Sequence, residues 1–166
     1  MKLNENLINT ITQDLVRHEG IVLKVYLDTE GLHTCGVGHL IKLGDEEFKK
    51  PVGTPITEKR ALELFKQDLA VSIKECETLF PNLGDYPDPV QRVLVNMTFN
   101  LGRPRLSKFK RMIAAVEAKD WNAAADEMVN SRWYRQTKTR AVELVELMRT
   151  ETDSPMRSAA SEEVSD

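Results

Sequence analysis

Apolar residues change their rhythm several times along the first eighty positions. From Asn4 to Glu19 they recur at helical spacing, with Leu7, Ile8, Ile11 and Leu15 on one face, and Gly20 stands where the left-handed residue that closes a helix belongs. Leu23 to Leu27 then alternates imperfectly: Val25, Tyr26 and Leu27 favour a strand, and Asp28-Thr29-Glu30-Gly31 supplies turn chemistry. A small antiparallel sheet is predicted through Leu32 to Ile41, where Gly36 and Gly38 permit a bulge or close approach by a ligand. After a polar loop over residues 42–56, Thr57 caps a long helix. Its stripe is Leu62, Phe65, Leu69, Ile73, Cys76 and Phe80, and Pro81 stops it. At ~1.5 Å per residue that helix would reach about 36 Å, enough to join two lobes.

The remaining pattern is helical with short breaks. Asp88 is expected to cap a helix starting at Pro89, with Val90, Val93, Leu94, Met97 and Leu101 inside and Gly102 at its end. Ser107 is expected to cap a second, using Phe109, Met112, Ile113 and Val116, and Asp120 a third, carrying Trp121, Ala124, Ala125 and Met128. Residues 131–137 read as a break or short turn, and Ala141, Leu144, Val145 and Met148 mark a last helix. The aromatic and methionine positions read as core. The expectation is an α+β chain, mostly α. An N-terminal helix over residues 1–20 packs on the C-terminal lobe, and a β-rich lobe spans 21–56. A connecting helix over 57–81 leads to a helical lobe over 82–151, and 152–166 forms a disordered tail.

Composition narrows the classes. No stretch approaches the roughly 20 apolar residues of a membrane span, and the polar first twenty residues are not a secretory signal. Cys35 and Cys76 fit neither a metal pattern nor a disulfide framework and read as free thiols. The net charge of −3 conceals a gradient: residues 1–100 carry 11 basic and 15 acidic side chains, 101–150 carry 11 and 6, and 151–166 carry 1 and 5. A basic C-terminal half suits an anionic polymer, nucleic acid or bacterial wall, but it also describes a solvated face.

The chemistry concentrates between His18 and Leu40. A carboxylate, Glu19, closes the first helix; a second, Asp28, sits on the turn after a strand; a hydroxyl, Thr34, follows on the next strand. Glycoside cleavage needs two carboxyl groups in unlike environments, one to protonate the leaving oxygen and one to attack or to activate water. The negative pole at a helix end disfavours an ionised Glu19, whereas Asp28 has polar neighbours. Carboxyl groups roughly 6.5–9.5 Å apart give inversion and those about 5–5.5 Å apart permit retention. The residues alone leave that choice open. His18 and His33 read as a helix-end residue and a surface residue, and no H-E-x-x-H or cysteine-histidine cluster brings these or His39 into a zinc set.

The run E-G-x-x-L-K-x-Y-x-D-T-E-G-x-x-T-x-G-x-G-H-L, with Glu19, Asp28 and Thr34 at its key positions, resembles the phage-type lysozymes, the endolysin muramidases, and the resemblance extends from about Asp14 to Arg149. It implies a two-lobed lysozyme-like fold and a cofactor-free muramidase that inverts configuration. Glu19 would be the acid, Asp28 the base or orienter, and Thr34 the residue holding water. It further implies a His39–Asp68 ion pair and an Arg140 held near Glu19, whose charge opposes the helix-end effect. Leu40 and Phe99 match cleft positions, and Met112 and Glu127 stand where the family pattern has serine and asparagine. It implies a monomer acting on peptidoglycan that binds no nucleic acid and does not enter the membrane. Such a protein waits in the host cytoplasm for a holin-type membrane protein to release it to the periplasmic wall, and lyses the host.

The rivals are a lytic transglycosylase, which can work with one glutamate, a catalytically silent wall-binding module, and a nucleic-acid binder using the Arg103-to-Arg111 run. Asp28 and Thr34 argue against the first.

Overall fold

The structure is a computed structural model and describes residues 3–149; the tail expected over 152–166 lies outside them. The first helix, α1 (Glu5–Glu19), is capped by the Asn4 side chain, which accepts from the Leu7 amide at 2.7 Å, and ends at Gly20, φ +74°. Strands β1 (Val22–Leu27), β2 (His33–Gly36) and β3 (His39–Leu40) form an antiparallel sheet in that order. Tyr26 pairs with Thr34, and Thr34 with Leu40, so these three side chains form one cross-strand row. Along the free edge of β1 the amide of Val25 donates to Thr54 O at 2.8 Å and that of Gly53 to Val25 O at 2.8 Å, so the loop covers that edge.

The long helix α2 (Glu58–Leu79) is capped by Thr57, whose hydroxyl accepts from the Arg60 amide at 3.0 Å. Its 22 residues span about 33 Å. Its early turns meet the sheet: a Cβ on Gly36 would lie 3.2 Å from Cβ of Ala61. Later turns pack on α3 (Asp88–Leu101). The buried stripe, Ala61, Leu64, Phe65, Leu69, Ser72 and Cys76, keeps to one face of the helix, rotated from the expected one. Leu64 and Ser72 are buried, while Leu62 and Ile73, expected inside, are only half-buried.

Two expected helix starts and one expected break are corrected. Asp88 is the first residue inside α3 and makes no capping bond; its carboxylate acts only as a charge at the helix's positive pole. Gly102 and Pro104 launch a short extra helix, α4 (Arg103–Leu106), so Ser107 closes that turn, its hydroxyl donating to Pro104 O at 2.7 Å, and α5 (Lys110–Glu117) begins without it. Asp120 caps α6 (Trp121–Val129) as expected, its carboxylate accepting from the Ala123 amide at 3.1 Å. The expected break at 131–137 is instead a capped helix, α7 (Arg132–Thr137), because the Ser131 hydroxyl accepts from the Tyr134 amide at 3.1 Å. The chain is helical again over residues 139–149, here α8.

The core is helical. Leu7, Ile11 and Leu15 of α1 pack with Phe65 and Leu69 of α2, with α3, and with Ala141, Leu144 and Met148 of α8. α3 runs through its centre and is buried nearly all round, including the polar Asn96 and Thr98. Asp14 fastens α1 to α3 by accepting two bonds from Arg92, at 3.0 and 3.1 Å. Cys35 and Cys76 are buried free thiols, pushed up by burial to about 11 and about 12. Among the described residues no helix is long and apolar enough to cross a membrane, and no cluster of three or more potential ligands could hold a metal ion.

Candidate active site

Glu19 ends α1 beneath the tight turn Gly36-Val37-Gly38, which Val37 anchors in the core. Arg140 of α8 donates through Nη1 to Oε1 of Glu19. The other oxygen, Oε2, lies 2.7 Å from where a Cβ on Gly38 would stand. Gly38 also has φ +63°, which disfavours other residues, so the close approach expected at the glycine run is made by the protein's own carboxylate. Arg140 is itself oriented: its Nε donates to Oδ1 of Asn96 at 2.9 Å.

Asp28 is held differently. Its Oδ1 accepts from the amides of Glu30, at 2.8 Å, and Leu32, at 2.9 Å, an Asx arrangement that fixes the turn between β1 and β2. Oδ2 has no hydrogen-bond partner among the described residues. Tyr26 lies within the field of both carboxylates: burial is the largest cause raising its phenol, followed by the charges of Glu19 and Asp28. Its cross-strand neighbour Thr34 is buried and donates to Leu32 O at 2.9 Å, which leaves the hydroxyl's lone pairs free to accept.

His39 and Asp68 sit on the far side of the sheet, against α2. Nδ1 of His39 lies 2.7 Å from Oδ2 of Asp68, and Nε2 lies 2.7 Å from Oδ2 of Asp45. Burial, the largest single influence, lowers the imidazole's affinity for a proton, but the two carboxylates together outweigh it and the net shift is upward. Asp45 was not visible in the pattern because it lies in a loop that reads as solvated. Its carboxyl is also desolvated, yet the His39 and Lys42 hydrogen bonds hold it below its ordinary value.

The cleft candidates are divided. Leu40 is 51% exposed on β3, in the row with Tyr26 and Thr34. Phe99, half-buried on α3, packs on Phe65 with ring centroids 5.6 Å apart. Met112 and Glu127 belong to a separate groove of about 1180 Å³ between α5, α6 and α7, whose far rim is Glu30, two residues past Asp28. That volume exceeds the roughly 300–1,000 Å³ of a small-molecule pocket and suits a polymer. Met112 is 1% exposed and presents no polar group, whereas Glu127 is half-buried. Arg105, Lys108, Lys110, Arg111 and Arg132 also line this groove, which gives the basic stretch of the sequence a location.

Two network members went unread in the sequence. Asn96 links Arg140 to His18, and its only signal was a lone amide within an otherwise apolar run of α3; Glu143, which faces Arg17 and His18, reads in sequence as an ordinary exposed acid of α8.

Residues 16–151 match the profile of the family described as phage lysozyme. The chain is 31% identical over 169 residues to probable T4-type lysozyme 1 of Dictyostelium discoideum, covering 88% of this chain and 97% of that protein. It is 36% identical over 150 residues to the pre-baseplate central spike protein Gp5 of Enterobacteria phage T4, covering 80% of this chain but 26% of that longer one. With the endolysin of Salmonella phage P22 the identity is 32% over 123 residues, 71% of this chain and 77% of the relative.

Proposed function

Since the chain belongs to the phage lysozyme family and is a lysozyme-type glycoside hydrolase of the cell wall, we propose that it hydrolyses the β-1,4 bond between N-acetylmuramic acid and N-acetylglucosamine in peptidoglycan. Glu19 is the general acid, and Asp28 and Thr34 place the attacking water. The observation that carries this reading is the unequal holding of the two carboxyl groups. Glu19 is clamped through Oε1 by Arg140, with Oε2 turned to the Gly38 side; Asp28 is fixed through Oδ1 by two amides, with Oδ2 open.

The steps follow from those valences. Glu19 gives its proton to the leaving glycosidic oxygen as the C–O bond breaks, and Arg140 stabilises the carboxylate that remains. Thr34 donates to Leu32 O and so accepts from water; Asp28 Oδ2 accepts the second water hydrogen. As the water oxygen bonds to the anomeric carbon from the side opposite the leaving group, its proton passes to Asp28 Oδ2 and configuration inverts. Leu40 and Phe99 bound the saccharide path, with Met112 as apolar floor and Glu127 as acceptor in the groove beyond Glu30. His39, Asp68 and Arg140 support the site without reacting.

We further propose that lobes over 21–56 and 82–151 are joined by the helix over 57–81, with α1 belonging to the second lobe. The P22 relative's description as an endolysin supports a role in host lysis; a monomeric state and release by a holin-type protein are part of the same proposal and rest on the family resemblance alone. Digestion of purified peptidoglycan tests the reaction: reducing N-acetylmuramic ends, first formed as the α-anomer, are expected. Anhydro ends would mean a transglycosylase, and intact wall a binding protein. Thr34→Ala should lose about 10²-fold in kcat with an unchanged far-ultraviolet spectrum; full activity would remove Thr34 from the mechanism.

A further inference from the structure

His18 precedes the proposed acid and takes no part in the steps above. Its side chain is 7% exposed. Nδ1 lies 3.2 Å from Nδ2 of Asn96 on α3, and Nε2 lies 3.0 Å from Oε2 of Glu143 on α8. The other charged groups facing it are Arg17, whose Nη1 is 3.4 Å from Nε2, and Arg140.

The hydrogen-bond polarity of this cluster is determined. Arginine only donates, so the Asn96 atom facing Nε of Arg140 must be the carbonyl oxygen, and the amide nitrogen must face His18. Nδ1 of His18 is therefore an acceptor, and the neutral ring carries its proton on Nε2, directed at Glu143. Arg17 gives one Nη1 hydrogen to Glu143 at 2.7 Å and its two Nη2 hydrogens to Glu143 at 2.9 Å and Asp14 at 3.2 Å; the second Nη1 hydrogen lies at the longer distance of 3.4 Å from Nε2, so the tautomer is set on the Nδ1 side, by the Asn96 amide that Arg140 orients. One chain of contacts thus runs Glu143, His18, Asn96, Arg140, Glu19.

We propose that His18 is a positioning residue: its neutral ring braces Asn96, and through Asn96 and Arg140 the carboxyl of Glu19, so that protonation of His18 releases the acid from its working position. A proton on Nδ1 sets two donors against each other at 3.2 Å. The Asn96 amide can relieve this only by turning its oxygen to His18, which takes it from Arg140. Nη2 of Arg140 is already buried without a partner among the described residues, so the guanidinium would then keep Glu19 as its sole anchor. Burial, first, and the charges of Arg140 and Arg17 lower the His18 pKa, against the opposing pull of Glu143, so the neutral ring is the resting form.

This inference rests on Glu19 as the acid, and its test separates the two. Ring-labelled histidine in the whole protein should show by nitrogen NMR the Nε2–H tautomer at neutral pH, and the Arg140 Nε–H signal should move in step with His18 protonation. In kinetics on peptidoglycan, wild type should show an acid-side step in kcat at that same ionisation. His18→Ala should lower kcat about tenfold with little change in KM. His18→Gln, which can accept from Asn96 but cannot titrate, should recover most of that loss and lack the step. An Nδ1–H tautomer, an unmoved Arg140 signal, or a step that persists in His18→Gln would overturn the proposal. Wall left intact by every variant, wild type included, would instead sink the lysozyme reading, and the NMR result would still decide the contact chain.

Discussion

A single hydrogen atom, the side chain of Gly38, makes room for the Glu19 carboxylate. Gly38→Ala places a methyl 2.7 Å from Oε2 at a backbone φ of +63°. The left-handed strain costs about 1–2 kcal/mol. The carboxylate, being the flexible end of a side chain, moves aside and loses its register with Arg140, so kcat should fall by about tenfold or more while the fold survives. Wall-clearing assays beside thermal melts check both; a variant with wild-type kcat would free Oε2 of any role. His39 gives a pH signature with a definite sign. Its folded pKa is raised, so its stabilisation is complete below the unfolded value of roughly 6.5 and fades as pH climbs through the raised one. The difference in unfolding free energy between wild type and His39→Gln should shrink from pH 6 to 9, and a constant difference would contradict the ion pair. The pairing partner Asp68 was legible through resemblance, but Asp45 was not, because a loop acid six residues away has no periodicity to mark it.

At the scale of elements, regular spacing was readable wherever a helix has one buried side and one clear cap. α1 and α6 obey that rule, with Asn4 and Asp120 bonded to their first turns. It fails where geometry is set by neighbours. In α2 the small residues Ala61 and Ser72 are buried but carry little hydrophobic signal, so the expected face was rotated toward Leu62 and Ile73; in α3 the face over Val90, Val93, Leu94 and Met97 was legible, but the burial that extends round to Gln91, Asn96 and Thr98 was not. Between Gly102 and Thr137 two short helices were missed because each is about one or two turns long, too short to show a period. Their boundaries depend on side-chain bonds such as that of Ser131. Ser131→Ala should therefore cost about 1 kcal/mol in chemical denaturation, a loss that Ser131→Asp should largely restore. In the same way the loop before α2 is pinned by Glu47, buried and accepting two bonds from Arg60 at 2.9 and 3.0 Å, which hold its carboxyl below the ordinary range.

Across the whole molecule the chain's beginning is stored in its later half. α1 delivers Glu19 to the sheet yet buries Leu7, Ile11 and Leu15 among α2, α3 and α8, so the acid's position depends on residues more than a hundred places downstream. Ile11→Ala should destabilise the protein by about 2–5 kcal/mol. The loss should appear with one midpoint in far-ultraviolet dichroism and in the fluorescence of Trp121 and Trp133, and separate midpoints would show that α1 is not part of that core. The mostly helical plan with one small antiparallel sheet could be read from sequence because it is written in local patterns; the Glu143-to-Glu19 relay could not, because its members come from three helices and meet only on folding. The cysteines add a consequence. Cys35 lies in the sheet and Cys76 near the end of α2; both are sealed, and burial holds both as unreactive thiols. Neither can be alkylated until its own surroundings open, so the rate at which each takes up a tag is a stopwatch for one half of the molecule, and the protein carries two such timers without any label added.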